Sequence, residues 1–578
     1  MTLFGTDIHE VMGVINGLRG DCAVGWDDIP AALIKAAGLI LAPVLCHVFN
    51  TCIDSGIFPT VFKKALVHPI HKNVINANEA ARILCVFPIP SISHQLAFRP
   101  LPLELAKRGH ELTVLTTDPI FTEGQSPENY TEIDVHDVSY DAWKKGFLQT
   151  SRGKSQDIFE QARVAMTVIS KVVAKQLQTD EFEPVLKGAK KFDLLIIEAP
   201  VKIPRILSHI LGAPMILMSS MGGAWDLYDI VGAPSHPLLY PDLLAQRLDN
   251  LTLWEKLHQL YNYYSFVSLF DKLEIEDDVL IKSIFGPTMP KLSEMRNNVE
   301  LVLLTTHRIW EHNRPVPPNL IYVGGIHQMP QKELPSDLKV FLDSSQHGVI
   351  YISFGTNVLP SLLPPERIRI LVKVFSELPY DVLWKWDKDE LPGRSKNIRI
   401  SKWLPQSDLL RHPKIKLFIT QGGLQSTEEA ITAGVPLIGV PMLGDQWCNV
   451  EQYVRHRIGL RLDLDELSED KLRSFIEEII NDQSYRQNIA RLRSQVYDQP
   501  LSSLERAVWW TEHVLRHGGA QHLRAAGANL SWSQYLELEL VSVLLIAFVV
   551  MLMILISIIL YTWKLLSSLS LKTKLKKT

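Results

Sequence analysis

The chain is short of the features that staple small folds or mark common non-globular classes. Among 578 residues there are only five cysteines, Cys22, Cys46, Cys52, Cys85 and Cys448. They are scattered and form no C-x-x-C pair, which argues against a structural zinc and against a disulfide framework. Charge of either sign is not in excess: 59 Lys and Arg against 63 Asp and Glu leave a net charge of −4. That balance offers no electrostatic case for a nucleic-acid partner. No period of 20–50 residues and no low-complexity run is present, so a solenoid is excluded. Residues 1–20 lack a continuous apolar core and carry Asp7 and Glu10, unlike a secretory signal peptide. Nowhere is there a Tyr/Phe-x-Asp-Asp element to hold the two metals of a polymerase, and Asp27–Asp28 lacks that context.

What the chain does have is a globular composition, 46% hydrophobic and 21% charged, and a length that suggests about three or four domains. Its most informative stretch is FITQGGLQSTEEAITAGVPLIGVPMLGDQ, Phe418 to Gln446. An apolar run ends at two glycines, about ten residues of helical pattern follow, and Gly434 precedes a second apolar run. This is a strand, tight turn, helix, strand unit. Gly422 and Gly423 allow close backbone approach, and the first N–H groups of the helix point at an anion placed beyond the strand. A diphosphate fits such a place. Asp445 and Gln446 close the stretch with a carboxylate and an amide, suited to sugar hydroxyls. The plain alternative is an ordinary βαβ unit in which Ser426 and Glu429 serve only as a helix cap.

The stretch resembles the signature of the UDP-glycosyltransferase family at Phe418, Thr420, Gly423, Ser426, Glu429, Pro436, Pro441, Asp445 and Gln446. Gln421 stands where many members carry His, and the TQGG form is similar to the insect branch. The resemblance implies a GT-B fold, two Rossmann-like α/β domains facing a cleft, with UDP-sugar as co-substrate and no cofactor. Nothing in the chain implies a required metal.

In chain order, residues 25–72 resemble a fragment of a non-LTR retrotransposon reverse transcriptase. We expect no independent function for residues 1–78, and read them as a transposon-derived segment or a mis-joined gene. At Ala81 the pattern changes: ARILCVFPIP reads as a strand, followed by one apolar helix to Lys107, a stop at Gly109 and a strand in ELTVLTTDP. Further strands are expected at 192–197, 214–218 and 300–305, which makes residues 79–326 an acceptor-binding α/β domain. Residues 254–270, aromatic and apolar, read as a core helix, with contact to a membrane as the alternative. Prolines 315, 317, 318, 330 and 335 mark a linker around IYVGGI. Residues 327–519 then form the UDP-sugar-binding domain, closed by helices after Leu467. A juxtamembrane stretch, 520–540, leads to residues 541–561. These 21 residues carry no charge, enough for a transmembrane helix, and 562–578 form a basic tail.

Candidate chemistry follows from the same reading. His94, in the loop after the first strand, matches the family's catalytic base, and a helix N-terminus nearby favours its neutral form. The partner position, usually Asp, holds Glu198 in KFDLLIIEAP; its carboxylate would stabilise the imidazolium. Trp403, in WLPQ with Gln406, would stack on uracil, although a core tryptophan is the alternative. Glu429 would bind ribose, Ser353, Thr356, Gln421, Gly423 and Ser426 would surround the diphosphate, and Asp445 with Gln446 would hold the sugar. The expected activity is transfer of glucose or glucuronate to small lipophilic acceptors, and the alternative is a catalytically silent sugar-nucleotide binder or mis-targeted fusion. A homo-oligomer is left open.

Lys564, Lys572, Lys574, Lys576 and Lys577 follow the apolar span, whereas Glu537 and Glu539 precede it, so the tail should be cytosolic and the body luminal. Lys574 and Lys576 resemble an endoplasmic reticulum retrieval signal, and a merely basic membrane flank is the alternative. Sequons at Asn129, Asn250 and Asn529 agree with a luminal body, yet no N-terminal signal is visible. Residues 36–49 are a poor substitute, interrupted by Pro43 and His47. We expect a native form with a signal peptide directly before Ala81.

Overall fold

A computed structural model describes residues 80–122, 124–146 and 158–575, together with residues 11, 42–48 and 50 of a separate unit spanning residues 1–79. The retrotransposon-like segment, the substitute signal and the last two lysines of the tail therefore lie wholly or largely outside the described residues. From Ala80 onward the chain is one unit.

Its central strands are short runs of Ile, Leu and Val without polar alternation, as expected for sheets covered on both faces, while the edge strands Tyr130–Asp134 and Ile398–Ser401 are more polar. β1 (Arg82–Phe87), β2 (Glu111–Thr116), β3 (Tyr130–Asp134), β4 (Leu194–Glu198), β5 (Met215–Ser219), β6 (Val299–Leu304) and β7 (Leu320–Tyr322) form a parallel sheet in the order β3-β2-β1-β4-β5-β6-β7. β8 (Val349–Ser353), β9 (Asp381–Lys385), β10 (Ile398–Ser401), β11 (Ile415–Thr420), β12 (Leu437–Gly439) and β13 (Gly459–Arg461) form a second, in the order β10-β9-β8-β11-β12-β13. The strand-like IYVGGI run, expected within the linker, supplies β7 of the first sheet, and the crossing follows it.

Helices fill the faces. The single helix expected before Lys107 is two, α1 (Ile92–Phe98) and α2 (Pro100–Lys107), because Pro100 has no N–H to continue the first. α3 (Ile158–Gln176) packs on α4 (Leu253–Phe285). α4 corrects the core-helix reading of residues 254–270. A capping box between Thr252 and Glu255 starts it, but Trp254 is 79% exposed and Leu253, Tyr261 and Tyr264 are exposed as well. Apolar residues surround this segment without a dominant face, so composition alone did not show which side would meet the core.

In the second half, α5 (Pro365–Glu377), α6 (Leu424–Ala433), α7 (Gln446–Arg455), α8 (Glu469–Asn481) and α9 (Gln483–Tyr497) surround the second sheet. α10 (Ser503–His517) does not close this half as expected. It returns to α2, where Ala507, Val508 and Val514 enter the same buried cluster as Leu101, Leu105 and Val114. The final helix, α11 (Leu538–Leu575), contains 538–568, the one stretch among the described residues long and apolar enough to cross a membrane.

Candidate active site

Each sheet reverses its strand order once, between β1 and β4 and between β8 and β11. Ligands of open α/β sheets collect beyond the carboxyl ends of the strands at such points. Both points here open on one cavity of about 480 Å³. It is lined from the first half by His94, Ser91, Ser220 and an apolar set that includes Ile158, Ala162, Met166, Ile169, Met221 and Phe270. From the second half come Ser353, Thr356, Trp403, Gln406, Gln421, Gly423, Ser426, Glu429, Asp445 and Gln446. Every catalytic and donor-side residue expected from the sequence reaches this cavity except Glu198, which stands behind His94.

His94 lies in the first turn of α1, just after β1, and Glu198 ends β4. Parallel pairing of β1 with β4 brings them together: His94 Nδ1 is 2.7 Å from Glu198 Oε1, with the two side chains 15% and 0% exposed. The other carboxylate oxygen accepts from Ile89 N–H at 3.1 Å. Burial pushes the Glu198 carboxyl up, against the pull of His94 and of that N–H. With the proton on Nδ1, directed at Glu198, Nε2 is the nitrogen left to take a proton. The glutamate carboxylate thus reaches the imidazole at hydrogen-bond distance.

On the donor side, Gly422 has φ +91°, and an added Cβ would lie 2.5 Å from Val450 Cγ2. Glycine is required for this turn. Gly423 is the N-cap of α6 and no side chain caps the helix, so the simple capping reading of Ser426 and Glu429 does not hold. Those two side chains instead share Gln406, whose Nε2 donates to Ser426 Oγ (2.9 Å) and Glu429 Oε2 (2.7 Å) while its Oε1 accepts from Tyr351 (3.0 Å). Burial lifts the Glu429 carboxyl to about 7. Asp445 accepts from Asn449 Nδ2 at 2.8 Å, and its carboxyl is also pushed up by burial. Gln446 Oε1 fastens the preceding loop by accepting from Met442 N and Leu443 N, both at 2.9 Å, which leaves its amide N–H₂ for a ligand. Gln421 is buried and its Oε1 accepts from Thr420 at 3.1 Å. Trp403 is 60% exposed at the cavity wall, which rules out a core role.

A family model described as UDP-glucoronosyl and UDP-glucosyl transferase matches residues 82–573. The chain belongs to that family. Among its relatives, the ecdysteroid UDP-glucosyltransferase of Spodoptera littoralis nuclear polyhedrosis virus is 35% identical, covering 84% of this chain and 97% of that protein. A UDP-glycosyltransferase of Dactylopius coccus is 32% identical over 82% and 90% of the two chains. A UDP-glucuronosyltransferase of Canis lupus familiaris is 30% identical over 78% and 88%. The crystal structure of UDP-glucose: anthocyanidin 3-O-glucosyltransferase in complex with UDP aligns with TM-score 0.52 at 17% identity, covering 75% of this chain and 99% of that one. The fold is thus GT-B, and the protein is a UDP-glycosyltransferase.

This UDP-glycosyltransferase carries site residues that sequence reasoning missed. Lys385, at the end of β9, lines the cavity, donates to Gly355 O at 2.9 Å and lies 4.7 Å from the centre of the Trp403 ring. Burial lowers its ammonium to about 8. Its signal was positional, the last residue of a strand beside the switch point. Ser220, Asn357 and Gln425 were missed as well. Of the expected glycosylation sites, Asn250 is exposed, with φ +54°. Asn529 donates to Asn297 Oδ1 at 3.1 Å. The Asn129 amide donates to Ala106 O (2.7 Å) and His110 O (2.9 Å), and a glycan, which leaves Nδ2 a single N–H, would break at least one of these bonds, so Asn129 is the least suited of the three.

Proposed function

We propose that the protein is an inverting UDP-glycosyltransferase that transfers glucose, in preference to glucuronate, from UDP-sugar to a hydroxyl of a small lipophilic acceptor. The observation that carries this reading is the His94–Glu198 pair facing, across one cavity, the side chains suited to a nucleotide sugar. Nε2 of His94 removes the acceptor's hydroxyl proton, the acceptor oxygen bonds to the anomeric carbon, and the bond from that carbon to the UDP oxygen breaks with inversion. Glu198 stabilises the imidazolium. N–H groups at the start of α6 and the Lys385 ammonium offset the charge on the leaving diphosphate, which makes up for Gln421 in place of His. Trp403 stacks on uracil, Glu429 binds ribose, and Asp445 with Gln446 holds the sugar.

The apolar wall contributed by α3 and by Met221 and Phe270 suits lipophilic alcohols and phenols. The viral relative named as an ecdysteroid UDP-glucosyltransferase supports glucose as the donor sugar. The α11 helix anchors the enzyme in the endoplasmic reticulum membrane with a luminal body and cytosolic tail, in keeping with the lysines that follow the span. Assay of UDP release from UDP-glucose and UDP-glucuronate with a panel of phenols and an ecdysteroid tests the reading. Tight UDP binding without release for any acceptor would support a silent binder instead.

A further inference from the structure

His94 is held from behind by the first half, yet the residues that hold it are themselves held from across the cleft. Ser220, in the loop after β5 and 1% exposed, places Oγ 2.8 Å from His94 Nδ1, beside the Glu198 contact. The carbonyl of the same residue accepts from Nε2 of Gln425 at 2.6 Å, and Gln425 is the second residue of α6, the donor-site helix. Ser91, also buried, occupies the N-cap of α1, the helix that carries His94, but its hydroxyl makes no cap bond. It accepts instead from Nδ2 of Asn357 at 3.0 Å, and Asn357 follows Ser353 and Thr356 in the loop after β8.

Two amide side chains, one from the donor-site helix and one from the loop after β8, thus end on the serine beside the base and on the serine whose carbonyl accepts from His94 N at 3.0 Å. Neither contact can exist unless the halves are closed on each other. We propose that Gln425 and Asn357 are positioning residues that make His94 competent only when the donor half has closed. Ser220 passes the first contact to Nδ1 and Ser91 the second to the backbone of α1. A closed, donor-loaded cleft then has its base aligned, whereas an open one leaves Ser220 and the start of α1 unsupported. Hydrolysis of the sugar nucleotide by water in an open cleft is suppressed by the same means.

The inference rests on the donor-site reading above, and the experiment separates the two. The full chain in detergent is compared with Gln425→Met, which keeps the length of the side chain without its N–H, and with Asn357→Ala. Turnover, UDP affinity by calorimetry, and deuterium uptake with and without UDP are measured. Each variant should lose about tenfold to 100-fold in kcat at saturating donor, the scale expected from a catalytic group displaced by about 1 Å, beyond whatever change in UDP affinity follows from their also lining the cavity. UDP should slow exchange at 219–223 and 89–95 in the parent. Gln425→Met should lose the first effect and Asn357→Ala the second, while protection of 421–429 persists in both. Unchanged kcat, a loss confined to UDP affinity, or undiminished protection of the first-half segments would overturn the positioning role. Absence of UDP protection at 421–429 in the parent would sink the donor site itself, and the positioning role with it.

Discussion

At the scale of single residues, the proposed reaction turns on a histidine whose partner is one methylene longer than the family's usual aspartate. His94→Ala should lower turnover by about 100-fold or more and leave UDP affinity unchanged, since Nε2 is assigned to the acceptor; a rate within a few fold of the parent would refute the base. Glu198→Gln keeps the shape and the Ile89 contact but removes the charge, so kcat should fall while thermal stability holds or rises, because burial already disfavours the carboxylate. Trp403→Ala should weaken UDP binding by about 1–3 kcal/mol without lowering the melting temperature, as the ring is largely exposed. Lys385 sets a pH dependence. Its ammonium is held down to about 8 by burial, and an arriving diphosphate raises it again, so binding takes up a proton. UDP affinity should therefore be flat below about pH 7 and fall as pH rises through 8. Calorimetry in buffers of different ionisation enthalpy would reveal the proton, and Lys385→Met should abolish the trend.

At the scale of elements, the site is made by strand ends rather than by any one motif. The turn from β11 into α6 depends on Gly422, where both positive φ and the nearness of Val450 forbid a side chain. Gly422→Ala should cost about 1–3 kcal/mol of stability, seen as a lower unfolding midpoint, and should weaken UDP binding because the turn forms the anion cradle. An unchanged midpoint would mean that the loop has room to adapt. Much of this unit was legible beforehand, since apolar run, glycines and helical period occur in immediate succession. The short strands β3, β10 and β13 were not, because each is partly exposed and carries polar or charged residues, and only its pairing with a neighbour makes it a strand.

At the scale of the whole molecule, α10 ties the C-terminal end of the second half to the first. Ending the chain at residue 530 should release the enzyme from membranes with UDP binding intact, because α11 contributes nothing to the buried clusters. Ending it at residue 500 should give an insoluble chain, since Ala507, Val508 and Val514 leave the cluster over β1 and β2. Sedimentation of the two truncated chains decides the matter. Equal solubility would mean that α10 is dispensable.

The sequence by itself determined the local facts: which runs become buried strands, where glycine must stand, which side chains of the second half meet in the cavity, and the apolar span near the C-terminus. Each of these depends on neighbours within about ten to twenty residues, where period and composition act directly. Only the tertiary structure decided that Glu198 reaches His94 across 104 positions of the chain, that Lys385 faces the donor cavity, that α4 turns aromatic residues outward, and that Gln425 and Asn357 touch the supports of the base. Those contacts join residues whose spacing in the chain carries no periodic signal. They are set by strand order and by the closing of one sheet's end against the other.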